Sequence, residues 1–307
     1  MRNNFIILYN ALFAHSHAEA GFDFLDVLLD ALIDTAKMLP FLFLAFLLME
    51  FIEHKAGDKL AGFLQKLGGK TALGPAAGAV IGCVPQCGFS VAASNLYAGR
   101  VITVGTLIAV FISTSDEAVP VLLAHPDMVS SVWKLIAVKI VVAFIAGAAA
   151  DIIVRVFKIR TEGESIGDMC TETGCGCESH GIWYSALKHS VNIGIFILIV
   201  NALLGTVMSL AGEETVKSVL GSMGALQPFA AGLVGMIPNC AASVFITELY
   251  AEGAISFGTA AAGLCTGAGV GLAVLFRANK SIKENLAVTG TVYAVGVACG
   301  IVLNLIR

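Results

Sequence analysis

Two short stretches of the chain place a proline, a side-chain amide and a thiol in succession within apolar sequence: Pro85-Gln86-Cys87 and Pro238-Asn239-Cys240. Proline removes a backbone donor and clashes with the preceding turn. In lipid, the carbonyls it frees need partners or a protein-lined cavity. Each triplet therefore offers bare carbonyls, an amide and a thiol that together can hold an ion. Ser90 and Ser243 follow one turn later, on the same face if the following segment is helical. Read alone, either proline is an ordinary helix kink packed with small residues. The matched pair argues against that reading.

A second polar run is Ser113-Thr114-Ser115-Asp116-Glu117. Adjacent carboxylates inside an apolar segment are expensive unless paired, protonated or metal-bound. Thr114, Ser115, Asp116 and Glu117 therefore suit cation coordination or proton exchange, the alternative being a polar cap on a span near the surface. Asp34 and His189 can relay protons, although Asp30, Lys37 and Lys188 are close enough in sequence to pair with them locally. Cys170, Cys175, Cys177 and His180 crowd into eleven residues. Three thiols and an imidazole can enclose one soft or borderline ion, as an accessory metal loop or, alternatively, as a linker with incidental cysteines.

The elements that must carry these groups follow from composition. The chain has 307 residues, of which 57% are hydrophobic and 13% charged, with a net charge of −4, and its mean hydropathy is +0.87. Soluble domains carry about 25% charged residues, so this is a polytopic all-α membrane protein with the bilayer as its partner. A single soluble enzyme domain and a disordered chain are excluded. The negative charge and the lack of a basic stripe speak against nucleic acid. Five of the eight cysteines lie in apolar stretches, unlike a secreted disulfide framework.

A crossing helix needs about 20 apolar residues. Segments 27–53, 130–156, 182–210 and 283–304 qualify directly, and 101–124 and 255–276 qualify with polar or glycine-rich interruptions. Segments 72–98 and 226–250 carry Pro85 and Pro238 at their centres. Lys55, Lys59, Lys66, Lys70, Arg155, Lys158, Arg160, Arg277, Lys280 and Lys283 collect on one side, which the positive-inside rule makes cytoplasmic. An odd number of crossings is then needed between loops 54–71 and 125–131. That makes 72–98 a re-entrant hairpin and, by the same logic, 226–250 another. Residues 1–23 read either as a signal peptide with an Ala18-Glu19-Ala20 cleavage site or as a short retained helix.

Self-similarity decides the architecture. Aligned without a gap, 82–106 and 235–259 are identical at eleven of 25 positions, where composition alone gives about two. Ala31-Leu32 aligns with Ala186-Leu187, pairing Asp34 with His189. The organisation expected is a segment 1–23, a membrane repeat 24–156, a cytoplasmic Cys/His loop 157–181 and a second repeat 182–307. Odd crossing numbers make the repeats inverted, with about five helical segments each and paired re-entrant or broken helices. Inverted repeats that meet at interrupted helices are a hallmark of secondary transporters. Thr266-Gly267-Ala268-Gly269, the counterpart of the acidic run, has no acid, so the symmetry is broken where charge matters.

The two proline motifs, the Thr-Ser-Asp-Glu-Ala run, the opening Leu-Asp-Ala-Leu-Ile-Asp-Thr at 29–35 and the central Cys/His loop together resemble a bacterial family of ten-helix heavy-metal exporters. Its members are also named arsenic efflux proteins or manganese transporters. The resemblance covers nearly the whole chain from about residue 24 and implies a multi-pass inner-membrane exporter. Cys87 and Cys240 favour soft ions, whereas Asp116, Glu117, Gln86 and Asn239 favour harder manganese. The chain has no phosphate-cradling loop, so the expected mechanism is proton-coupled export of a divalent or heavy-metal ion, manganese favoured, with no required cofactor. The rival is an arsenite or organoarsenical permease, a metalloid substrate using the same thiols. A passive channel and an intramembrane enzyme are lesser alternatives, and a homo-oligomer is left open.

Overall fold

The computed structural model describes residues 24–51, 73–84, 88–114, 118–124, 128–157, 182–211 and 223–306. Among these there are only helices and turns. The helices are α1 (Phe24–Phe51), α2 (Leu73–Gly82), α3 (Gly88–Ala98), α4 (Val104–Ser113), α5 (Ala118–Ala124), α6 (Val129–Val156), α7 (Ile182–Ala211), α8 (Gln227–Gly235), α9 (Cys240–Ala251), α10 (Phe257–Thr266), α11 (Val270–Ala278) and α12 (Ile282–Ile306). If α4–α5 and α10–α11 each count as one broken segment, the described residues give five segments in each half, the number expected from sequence. Val129–Val156, Ala186–Leu203, Phe257–Ala278 and Ile282–Ile306 are long and apolar enough to cross a membrane. The chain is a multi-pass membrane protein.

The helix breaks fall where the backbone chemistry demands them. The arms α2 and α3 have 10 and 11 residues, each about 15 Å long at 1.5 Å per residue, half of a hydrocarbon core of about 30 Å. Arm α2 runs parallel to α4: a Cβ built on Gly78 would meet Thr106 and Val110, and one on Gly82 would meet Val110 and Ser113. Helix α6 runs the other way, with Gly147 beside Gly105 and Lys139 bonded to Thr114. Segment 73–98 therefore enters and leaves by one end of the bundle. In the second half, Thr259 Oγ1 bonds Gln227 and Thr266 Oγ1 bonds Gly232, so α8 parallels α10. Gly300 packs on Gly258, and Gly296 on Thr266, so α12 opposes α10.

The contacts recur at a constant distance along the chain. Val101 N–H donates to Leu96 O and Arg100 N–H to Tyr97 O, closing α3; Ala254 N–H to Leu249 O and Gly253 N–H to Tyr250 O close α9. Arg100 and Gly253 both take positive φ, 58° and 75°. Thr103 caps α4 and bonds Asp151 at 2.8 Å, while Ser256 caps α10 and bonds Asn304 at 2.6 Å. All these partners stand 153 positions apart, carrying the match far past the 25 aligned residues. In the first helices the shift is 155: Thr35 Oγ1 donates to Ala31 O, and Ser190 Oγ to Ala186 O, each at 2.7 Å.

Packing uses small residues where backbones must touch, as expected in lipid, where apolar side chains gain little from meeting each other. A Cβ on Gly105 would lie 2.2 Å from Gly147 O, and one on Gly258 would lie 2.6 Å from Gly300 O. The core, built around Leu107, Phe111, Ala143, Cys265 and Leu275, joins both halves. Helix α1 packs along α7, with Leu39 against Gly194 and Phe43 against Trp183, and also against α3, while α7 touches α11. Across the halves, α3 packs on α11 and α9 on α5.

Candidate functional site

The polar centre of the molecule forms where two broken helices end. Helix α4 stops at Ser113, with Thr114 as its C-cap at φ −55° and ψ 126°. Thr114 is buried, and its hydroxyl donates back to Val110 O at 2.7 Å. Helix α10 stops at Thr266. Gly267 leaves the helical region, and Gly269, at φ 54° and ψ −147°, opens α11. That conformation is open essentially to glycine alone, which gives the Thr-Gly-Ala-Gly run its physical reason. The N–H of Ala268 donates to Thr266 O instead of to Leu264 O four residues back.

Lys139 fills the gap. It lies on α6 at 0% exposure, and its ammonium donates to Thr114 O and, at 2.7 Å, to Leu264 O. One side chain thus satisfies a carbonyl at each helix break, one in each half of the molecule. The thiols of Cys83, Cys265 and Cys299 lie within electrostatic reach of it. Cys265 on α10 and Cys299 on α12 are neighbours in the core, and Cys83 donates to Ala79 O at 3.1 Å. Reasoning from sequence missed Lys139, although a lysine at the middle of a long apolar span was the available signal.

The expected site residues distribute as follows. Ser90 is fully buried at the start of α3, where a Cβ on Gly271 would come within 2.7 Å of it. Ser94, one turn on, donates to both Ser90 O and Gly271 O. Asn239 is the N-cap of α9: its Oδ1 accepts from Ala241 N–H at 3.0 Å, so one lone pair of that oxygen already serves the helix. Pro238 ends the turn before it, Cys240 is the first residue of α9, and Ser243 is half-buried. Each hairpin thus packs its returning arm on the second piece of the other half's broken helix, α3 on α11, with Ser90 against Gly271, and α9 on α5.

Other expected residues lie outside the described residues: Pro85, Gln86 and Cys87, Ser115, Asp116 and Glu117, and the loop cysteines Cys170, Cys175 and Cys177 with His180. So does the N-terminal segment 1–23. Asp34 and His189 fall within α1 and α7, with their side chains outside the described set. Among the described residues, no three His, Cys, Asp or Glu side chains converge to hold a metal ion.

At the opposite ends of the hairpin arms, Glu284 collects the Tyr97 hydroxyl at 2.9 Å, the Arg100 guanidinium at 3.0 Å and the Asn279 amide at 3.3 Å. Tyr250, the counterpart of Tyr97, stands 2.9 Å from the hydroxyl of Ser131, the counterpart of Glu284. These contacts tie the mouth of each hairpin to the first turns of the other half's last helix.

Residues 22–221 match a family described as "Putative, 10TM heavy-metal exporter". The chain belongs to this exporter family. The match spans the first half, the Cys/His loop and α7, and the ten of the family's description equals the segment count among the described residues when each hairpin arm is counted separately. Membership places the chain among heavy-metal exporters, with a metal ion as substrate and a membrane as its setting. No curated protein and no solved structure matches it. The α8–α12 region lies beyond the family match, and its likeness to α2–α6 carries the comparison there.

Proposed function

We propose that this heavy-metal exporter is a proton-coupled secondary transporter of a bacterial inner membrane, built from two inverted repeats, with manganese as its favoured ion. The observation that carries this reading is the meeting of two helix breaks, one from each half, at Lys139. Inversion is supported by direction. Leu39 pairs with Gly194 and Phe43 with Trp183, so α1 and its counterpart α7 run antiparallel. It is supported again by the reciprocal ties of Tyr97 to Glu284 and Tyr250 to Ser131, which set the exit of each hairpin beside the start of the opposite last helix.

In this reading the ion passes the α4–α5 break, with Thr114, Ser115, Asp116 and Glu117 on one side and the start of α9, with Pro238, Asn239, Cys240 and Ser243, on the other. Pro85, Gln86, Cys87 and Ser90 line the matching approach to the α10–α11 break. Asp116 and Glu117 supply hard oxygen ligands and release protons as the ion binds, while Asp34 and His189 relay protons between the first helices. Cys170, Cys175, Cys177 and His180 hold an accessory ion before delivery.

The second reading, export of arsenite or an organoarsenical, is favoured by one specific feature. The neighbouring free thiols of Cys265 and Cys299 are the soft pair that trivalent arsenic prefers, and they need no carboxylates. A host lacking its own exporters separates the two readings. With the wild-type chain it should tolerate manganese, and Asp116→Ala with Glu117→Ala should abolish that tolerance. Loss of arsenite tolerance in the Cys265→Ser and Cys299→Ser chain, with manganese tolerance absent throughout, would establish the metalloid reading instead.

A further inference from the structure

We infer that the carbonyl ends of α4 and α10 form a cage for a monovalent ammonium, and that Lys139 occupies it as a tethered cation, acting as the positioning residue that holds the two helix breaks together. The carbonyls are orphans of the breaks. Leu264 O loses its helical donor because Ala268 N–H turns to Thr266 O, and Thr114 O lies at the C-cap, past the last helical residue. The last carbonyls of a helix have no intrahelical partner, and in a bilayer water cannot replace one. The Lys139 ammonium meets both while fully buried. Carbonyl dipoles at helix C-termini carry partial negative charge, and two of them converge on one nitrogen.

Among the described residues the cage has no copy in the second half. The residue 153 positions after Lys139 is Val292, buried in the apolar core. One lysine therefore serves both halves, and it stands on the same half as the acidic run. The site lies between α4, α6 and α10 and shares Thr114 with the ion-pathway reading, through its main-chain carbonyl, but it needs no assumption about what is exported.

The test uses the full-length chain purified in detergent, with thermal melting as the readout, so no substrate is required. Lys139→Ala should lower the melting temperature by about 4 °C or more. Millimolar ethylammonium, which brings N–H donors into the vacated space, should restore more than half of that loss. Tetramethylammonium at equal ionic strength has no N–H and should restore none. Lys139→Met keeps the bulk without the donors, and should be as unstable as Lys139→Ala and insensitive to ethylammonium. A Met variant as stable as the wild type would overturn the inference, since Lys139 would then only fill volume. So would equal recovery with both cations, or no recovery with either. If Lys139→Ala reaches the membrane only when ethylammonium is present during growth, the inference stands. If it fails to accumulate even then, the cage cannot be refilled and the inference falls.

Discussion

The hydroxyl of Tyr97 lies 2.9 Å from a carboxylate oxygen of Glu284, joining the end of the first hairpin to the first turn of the last helix across the whole chain. The same carboxylate takes the Arg100 guanidinium at 3.0 Å, with both side chains mostly shielded from solvent. Removing one member of a shielded pair leaves the other charge uncompensated, which is more damaging than losing an exposed pair. Glu284→Ala should therefore destabilise the chain by about 1–3 kcal/mol, and Tyr97→Phe by about 1 kcal/mol. In a double-mutant cycle read by thermal melting, the two should be non-additive. Additive effects would mean that the hairpin mouth is not held by this contact.

Glycine positions divide sharply by what surrounds them. A Cβ on Gly105 would strike the Gly147 carbonyl at 2.2 Å, whereas one on Gly290 would meet nothing within 4 Å. Gly105→Ala should force α4 and α6 apart and destabilise by about 1–3 kcal/mol. Gly290→Ala should be neutral or stabilising by up to about 1 kcal/mol, because alanine is the better helix former. Melting temperatures of the two variants, measured side by side, check the claim.

Gly269 holds φ 54° and ψ −147° at the start of α11. No Cβ is tolerated there without strain of about 1–3 kcal/mol. Gly269→Ala should lower both stability and export, whereas Arg100→Gly relieves a left-handed backbone while removing the ion pair to Glu284. The two variants separate backbone strain from charge. Arg100→Gly should lose no more stability than Glu284→Ala, as read from paired melting curves.

Much of the architecture was legible because lipid imposes length and proline imposes breaks. The bounds expected for the long spans lie within a few residues of α1, α6, α7 and α12, and the hairpin arms flank Pro85 and Pro238 as expected. The pairing of Ala31 with Ala186 reappears as matching hydroxyl bonds in α1 and α7. A lysine in mid-span was visible in the sequence, but the role of Lys139 was not, because its partners are the main-chain carbonyls of Thr114 and Leu264. A carbonyl has no signature in sequence until a break frees it. The tie of Tyr97 to Glu284 was hidden for a related reason: the tyrosines match between halves, but Glu284 and its counterpart Ser131 share no chemistry beyond accepting a hydrogen bond. The amide of Asn239 read as a ligand, yet its oxygen also caps α9. A Pro-Asn pair before a helix suits either role.

In the proposed pathway the carboxylates of Asp116 and Glu117 act through the ion they bind. Asp116→Asn and Glu117→Gln keep shape and polarity while removing charge. Each should lower manganese export at least about tenfold if its charge is used in binding, one tenfold step being about 1.4 kcal/mol. Membrane accumulation of the protein should be unchanged. Export at the wild-type rate by both variants would remove the acids from the pathway.

The most direct test of proton-coupled metal export uses everted membrane vesicles containing the full chain, energised to an acidic interior, with a pH-sensitive dye and radiolabelled manganese followed together. Manganese uptake should be accompanied by manganese-dependent proton efflux, the uptake being abolished by a protonophore and both fluxes by the double Asp116→Asn, Glu117→Gln variant. Manganese uptake that persists after the proton gradient is collapsed, or vesicles that accumulate arsenite but no manganese, would contradict it.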